Sequence, residues 1–192
     1  ALVVVVAFGG SVPYHTVMLP FTRLQGGPMD YTPGIFETKL SEWSNNPSYV
    51  HSTLCGQLSL YLVMYSPLQM AADLPEHVGA FQFIRDVACD WDDSKYLEAE
   101  PAQYITVARK AKGTDNWFVG GKTNEARQTT VKLDFLDKNA KYECTIYQDG
   151  KDADYEHNPK AYTILHRTVK KGDVLKIKEA RGGGFAVSLI KK

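Results

Sequence analysis

Apolar and polar residues follow different rules in the two halves of this chain. Over residues 50–65 the apolar positions Leu54, Leu58, Tyr61, Leu62 and Tyr65 recur three or four apart, which predicts an amphipathic helix that Ser66-Pro67 ends. Pro75-Glu76 marks a second helix start, with Phe81, Ile84 and Ala88 as its apolar stripe and an end near Cys89. Residues 15–24 are mostly apolar but contain Pro20, so a helix there is short or kinked. Short apolar runs at 28–31 and 68–72 read as brief strands, and the four valines within 1–7 as a buried strand entering a loop. Strand, loop, helix, strand, helix is the order that βαβ units produce.

From Tyr104 onward the period changes to two. YITVARKA, NWFVGGKT, TTVKLDFL, YECTIYQDG, YTILHRTV, VLKIKEA and FAVSLIKK alternate, separated by turn residues at Gly113-Thr114-Asp115, Asp137-Lys138-Asn139, Asp149-Gly150 and Lys171-Gly172-Asp173. Such runs at such spacing predict an antiparallel β-sandwich. The expected organisation is therefore α/β plus all-β, with a barrel-like or open α/β portion over 1–93 and a C-terminal antiparallel β-sandwich over 94–192. A complete eightfold (β/α) barrel needs roughly 250 residues, so the first portion suffices for only two or three of its units. A parallel sheet that small leaves edges unpaired and a face uncovered. The chain is accordingly expected to be a fragment of a longer protein.

Composition changes this picture little. The apolar fraction of 44% and charged fraction of 23% are those of an ordinary globular protein. With zero formal net charge and no basic run, there is no electrostatic reason to expect nucleic acid or an anionic membrane as partner. Cys55, Cys89 and Cys144 are odd in number and widely spaced, which argues for neither a disulfide framework nor a zinc site. Cys55 and Cys89 fall in helix-like apolar stretches, where cysteine is usually a small buried hydrophobe.

Candidate chemistry sits where the short strands end. Asp30 and Asp73 each close an apolar run just before turn residues, the place where α/β sheets and barrels hold ligand-contacting side chains. Each is equally readable as a helix cap or turn former. His15 is placed to donate to a sugar oxygen or to serve as a structural histidine. Tyr31 and Trp43, in loops of the same rim, offer faces for stacking on a ligand or for closing the core. The candidate substrate-binding set is thus His15, Asp30 and Tyr31. Asp90, Asp92 and Asp93 lack the spacing of a calcium loop and read as linker acids. Glu98 and Glu100 alternate on a strand-like segment and are expected to face solvent, and Gly182-Gly183-Gly184 reads as a turn or bulge. No carboxylate pair of the glycosidase kind is evident, and GxSxG and HExxH are absent, so no catalytic or metal-ligating residue is assigned.

Four runs carry a family likeness. HTVMLPFTRLQGGPMDYTPGIF from His15, SPLQMAADLPE from Ser66, FQFIRDVACDWDDSKYLEAEP from Phe81 and ARKAKGTDNWFVGG from Ala108 resemble, in order, the C-terminal part of glycoside hydrolase family 97. The likeness runs from about Phe8 through nearly the whole chain. It implies the last units of a (β/α)8 barrel followed by a C-terminal β-sandwich, in a bacterial enzyme that is periplasmic or secreted and removes terminal α-linked galactose or glucose from oligosaccharides. It also implies a calcium ion held by carboxylates. The family's catalytic and calcium-binding acids lie mostly upstream of His15, and ALVVVVAFGGS at 1–11 contains no acid. The reacting groups are therefore expected on chain preceding this one, and the missing acid favours the α-galactosidase branch. The competing expectation is a non-catalytic carbohydrate-binding or interaction module, with Trp117, Phe118 and Tyr147 as an aromatic platform on the sandwich.

Overall fold

The structure is a computed structural model that describes residues 12–42, 44–73 and 78–192. The reading of 1–7 as a strand, the acid-free stretch 1–11, Trp43 and the Pro75-Glu76 helix start lie outside the described residues. Among those described, α1 spans Pro13–Met18, α2 Leu54–Val63 and α3 Val78–Asp86. Eight strands follow: β1 Trp91–Glu100, β2 Tyr104–Ala111, β3 Trp117–Thr123, β4 Arg127–Lys132, β5 Lys141–Asp149, β6 Tyr162–Lys170, β7 Val174–Glu179 and β8 Gly184–Lys191. Six form one antiparallel sheet in the order β1-β2-β3-β8-β5-β6, and β4 pairs with β7 as a second sheet.

Alternation along the strands divides the core into two layers. Trp117 and Val119 of β3, Cys144 and Ile146 of β5 and Phe185, Val187 and Leu189 of β8 meet Val131, Leu175 and Ile177 of the small sheet. The intervening residues Phe118, Tyr147 and Ala186 point the other way, onto Leu54, Leu58, Tyr61 and Leu62 of α2. This is the period-two geometry of a pleated strand, each face taking every second residue. The large sheet therefore has the small sheet on one face and α2 on the other.

The expected amphipathic helix is shorter than predicted, and it is buried at all ten positions. One side meets the sheet. Leu60 and Met64 meet Leu19, Met29 and Tyr31, and Val63 meets Val17, Ile105 and Val107. The polar residues on it are satisfied: Gln57 accepts the Gly34 amide at 3.2 Å and Ser59 donates to the Gly56 carbonyl at 2.7 Å. At its C-terminal end the buried Arg109 of β2 donates from Nε to the Leu62 carbonyl at 2.7 Å, which occupies an otherwise unpaired helix carbonyl. The first half thus shares its core with the sheet instead of closing one of its own.

Four local expectations change. Residues 28–31 and 68–72 are not strands; they run as loops without a ladder, tied by backbone bonds such as Met29 N to Tyr65 O at 3.3 Å and Ala72 N to Pro33 O at 3.0 Å. A strand requires a ladder, and no described strand lies beside either segment. The supposed linker acids Asp92 and Asp93 belong to β1, so the sheet begins at Trp91. Glu98 in the same strand is partly covered, with Thr106 at 3.0 Å and Arg127 at 3.0 Å. Residues 15–24 form a short helix and then 3-10 turns through Pro20, as its ring dictates. Cys55 is buried, whereas Cys89 is exposed beyond the end of α3.

Candidate functional site

Of the rim residues predicted from sequence, Tyr31 packs on the C-terminal half of α2. His15 is exposed on α1, and Asp30 is exposed in the loop that follows. Tyr31 differs from expectation. It is 4% exposed, packed among Leu19, Met29, Leu60 and Met64, and burial pushes its hydroxyl up to about 12. Its ring is a core element and offers no open face for stacking, because the segment that carries it is the lid on α2. Asp73 accepts the Phe36 amide at 2.6 Å and the Glu37 amide at 3.0 Å. That is the turn-forming alternative, since a carboxylate oxygen accepting two backbone amides fixes a loop. Beside it the Tyr61 hydroxyl sits between the carbonyls of Pro33 and Met70, at 3.2 and 3.1 Å. Together they tie the 33–37 loop to the 66–73 segment.

A second polar cluster, unmarked in the sequence reading, lies at the other end of α2. Thr53 caps the helix by accepting the Gly56 amide at 3.0 Å, and its hydroxyl donates to Asp149 Oδ1 at 2.6 Å. Asp149 Oδ2 accepts the amides of Ala180 at 2.8 Å and Gly184 at 2.9 Å. Lys122, fully buried on β3, donates to the Gly182 carbonyl at 2.6 Å and to Ser52 Oγ at 3.2 Å. Desolvation pulls its ammonium down to about 8, against the opposing pull of Asp149 and Glu179. Desolvation raises the Asp149 carboxyl, while the Thr53, Ala180 and Gly184 donors act to lower it. Glu179, 4% exposed, accepts the Thr129 hydroxyl through Oε1, and its Oε2 has no partner. Burial lifts its carboxyl to about 7.

Every lone pair of Asp149 near a donor is already used, so the cluster clamps α2, the β3 strand and the turn at 180–184 together instead of presenting a reactive group. Buried charges of this kind are tolerated only when paired and hydrogen-bonded. A cavity of about 430 Å³ opens beside it, lined in part by Arg127, Asp149, Glu179 and Arg181. The signal that could have located the clamp is Ser52-Thr53 ahead of the helical run, a capping pattern, together with a lysine at an alternating strand position.

The aromatic platform of the module reading is absent. Trp117, Phe118 and Tyr147 are 3%, 2% and 3% exposed, consumed by the two core layers, because central strands covered on both faces have no wet side. Among the described residues one group of potential metal ligands converges, Asp154, Glu156 and His157. Arg181 lies against it, with Nε to Asp154 Oδ2 at 2.9 Å and Nη2 to Glu156 Oε2 at 2.7 Å. A guanidinium already supplies the positive charge there, so these residues do not fit a calcium ion.

Comparison with known proteins aligns residues 90–190 with a family described as "Glycosyl-hydrolase 97 C-terminal, oligomerisation". The chain is 36% identical over 184 residues to a retaining alpha-galactosidase of Bacteroides thetaiotaomicron, covering 91% of this chain and 27% of the relative. It is 28% identical over 176 residues to a probable retaining alpha-galactosidase of Streptomyces bingchenggensis, covering 90% and 25%. Among solved structures, a family 97 enzyme from Pseudoalteromonas sp. strain K8 in complex with panose superposes with a TM-score of 0.88 at 41% identity, over 95% of this chain and 29% of that one. The chain therefore spans about a quarter of the length of the curated relatives it matches.

Proposed function

This chain belongs to glycoside hydrolase family 97, and from that premise we propose that it is the C-terminal part of an enzyme that releases terminal α-linked galactose or glucose from oligosaccharides. The helical segment supplies one wall of the sugar pocket, with His15 and Asp30 as the exposed polar side chains on it, and the two-sheet region supports that wall. The carboxylates that protonate the leaving oxygen and attack the anomeric carbon belong, in this reading, to preceding chain. Calcium, where bound, takes its ligands there as well, and supplies positive charge that organises carboxylates around the sugar. The family's compartment, periplasmic or extracellular, is carried over as part of the same proposal.

One observation carries the reading. The superposition with the Pseudoalteromonas enzyme runs through both the helical segment and the sheets, over 95% of this chain. The helical segment and the sheets therefore have the same arrangement as in family 97 enzymes from that strain solved with panose and with acarbose, which supports the reading of the helical segment as a pocket wall. The test compares p-nitrophenyl α-galactoside and α-glucoside as substrates of the purified 192-residue chain and of its full-length parent. Turnover by the parent alone is expected, and the faster substrate assigns the sugar. Robust turnover by the chain alone, or none by the parent on either substrate, overturns the proposal.

A further inference from the structure

The β4–β5 connection and the β6–β7 turn meet at one end of the sheets around a concave pocket of about 420 Å³, lined by Lys138, Asn139, Ala140, Lys141, Lys170 and Lys171. Four of those six residues are lysines and none is acidic. The charge is a local concentration, for the chain as a whole carries 22 basic and 22 acidic residues. The acids of the same turns are Asp134, Asp137 and Asp173: Asp137 receives Lys191 Nζ at 2.9 Å, and Asp173 accepts the backbone amide of the pocket residue Lys170 at 2.9 Å. Two positions along β5, on the same face as Lys141, Glu143 faces Lys192 at 3.7 Å.

Strand register makes this cluster more than a solvated charged face. Lys141 of β5 lies directly opposite Lys170 of β6 in the antiparallel ladder, so the two ammonium-bearing side chains leave the same face side by side. Like charges directly opposed across a ladder destabilise it, and Lys138 and Lys171 line the same pocket. An oxyanion seated between them converts that repulsion into attraction, and ammonium groups bind such anions as point charges without needing a planar fork. The cavity exceeds a bare ion and falls within the range of small-ligand sites.

We propose that this pocket binds a multiply charged oxyanion, a phosphate or sulfate ester group carried on a soluble sugar or other small molecule. The site is separate from the sugar wall of the helical segment and does not depend on the glycosidase reading. The test titrates the full-length protein with inorganic pyrophosphate and with a sulfated disaccharide, using the unsulfated disaccharide as neutral control, at low and high ionic strength. Saturable binding of the two anions is expected, weakened by salt and reduced about tenfold in Lys141→Gln and in Lys170→Gln. Each variant, freed of the opposed charge, is expected to be at least as heat-stable as the parent without ligand, and to lose the thermal shift that the anions produce in the parent. Absence of binding overturns the proposal. So does equal loss in Lys176→Gln on β7, or binding confined to vesicles of anionic lipid with none to the soluble anions.

Discussion

Thr53 serves two elements with one hydroxyl, accepting from Gly56 N on α2 and donating to Asp149 on β5. Thr53→Val removes both bonds at nearly constant volume. A lost helix cap and a buried carboxylate deprived of a donor together are expected to cost about 3 kcal/mol in urea denaturation, whereas Thr53→Ser retains most of it. Glu179 has a distinct signature in pH. Its folded value of about 7 stands above the ordinary 4.5, so in that window the native state keeps a proton that the unfolded chain has lost. Its contribution is therefore full below about pH 4.5 and disappears as pH rises through 7. Relative to the parent, Glu179→Gln is expected to remove a decline of at most about 3 kcal/mol across that window, following ~1.4 kcal/mol per unit; identical slopes in parent and variant refute the assignment. None of these residues stood out in the sequence. Asp30 and Asp73 did, because turn residues beside an acid are a local signal, while a carboxylate saturated by donors 31 to 96 positions away leaves no local trace.

At the scale of elements, α2 lies close against the sheet because β3 offers it no side chain at Gly120. A Cβ there would stand 2.8 Å from Leu62 Cβ and 3.0 Å from the Ser59 carbonyl oxygen. Gly120→Ala is expected to displace the helix and cost about 1–3 kcal/mol, read as a lowered midpoint in thermal unfolding, although alanine is otherwise the better strand residue. An unchanged midpoint indicates that the helix has room to move. Seven of the strands, β2 to β8, were legible from alternation, since period two is a property of neighbouring residues, and it showed even in the edge strand β6, where only Val169 is buried. Only the start of β1, Asp92 and Asp93, was read as linker, while Glu98 and Glu100 were placed on a strand-like segment; the strand borders the sheet and no residue of it is fully buried, so WDDSKYLEAE carries little hydrophobic pattern. The strands at 28–31 and 68–72 failed for the complementary reason: an apolar run makes a strand only where a partner stands beside it.

For the molecule as a whole, the described surface leaves large apolar side chains open in both halves, with Tyr96, Leu97, Leu165, Val174 and Ile190 in the second. The first half exposes Val12, Tyr14, Leu68 and Met70, the last two by 63% and 43%. In the proposed reading preceding chain covers them. Leu68→Ser combined with Met70→Ser is then expected to leave the melting temperature of the separate 192-residue chain unchanged and to lower that of the full-length protein by several degrees, about 1–2 kcal/mol for each side chain left without its cover. An equal effect in both contradicts the reading.

Periodicity, turn residues and the order of four long runs were enough to place the helices and most of the strands and to identify the family, because each is written in residues close together along the chain. Burial was another matter. Whether Tyr31, Trp117 and Phe118 face a sugar or a core, and whether Lys122 and Asp149 are wet or sealed, depends on which layer covers which face. The pairing of Lys141 with Lys170 in one pocket depends likewise on register between strands joined by a long connection. Those are relations between distant segments, set by packing after the chain has folded, and a zero net charge conceals them completely.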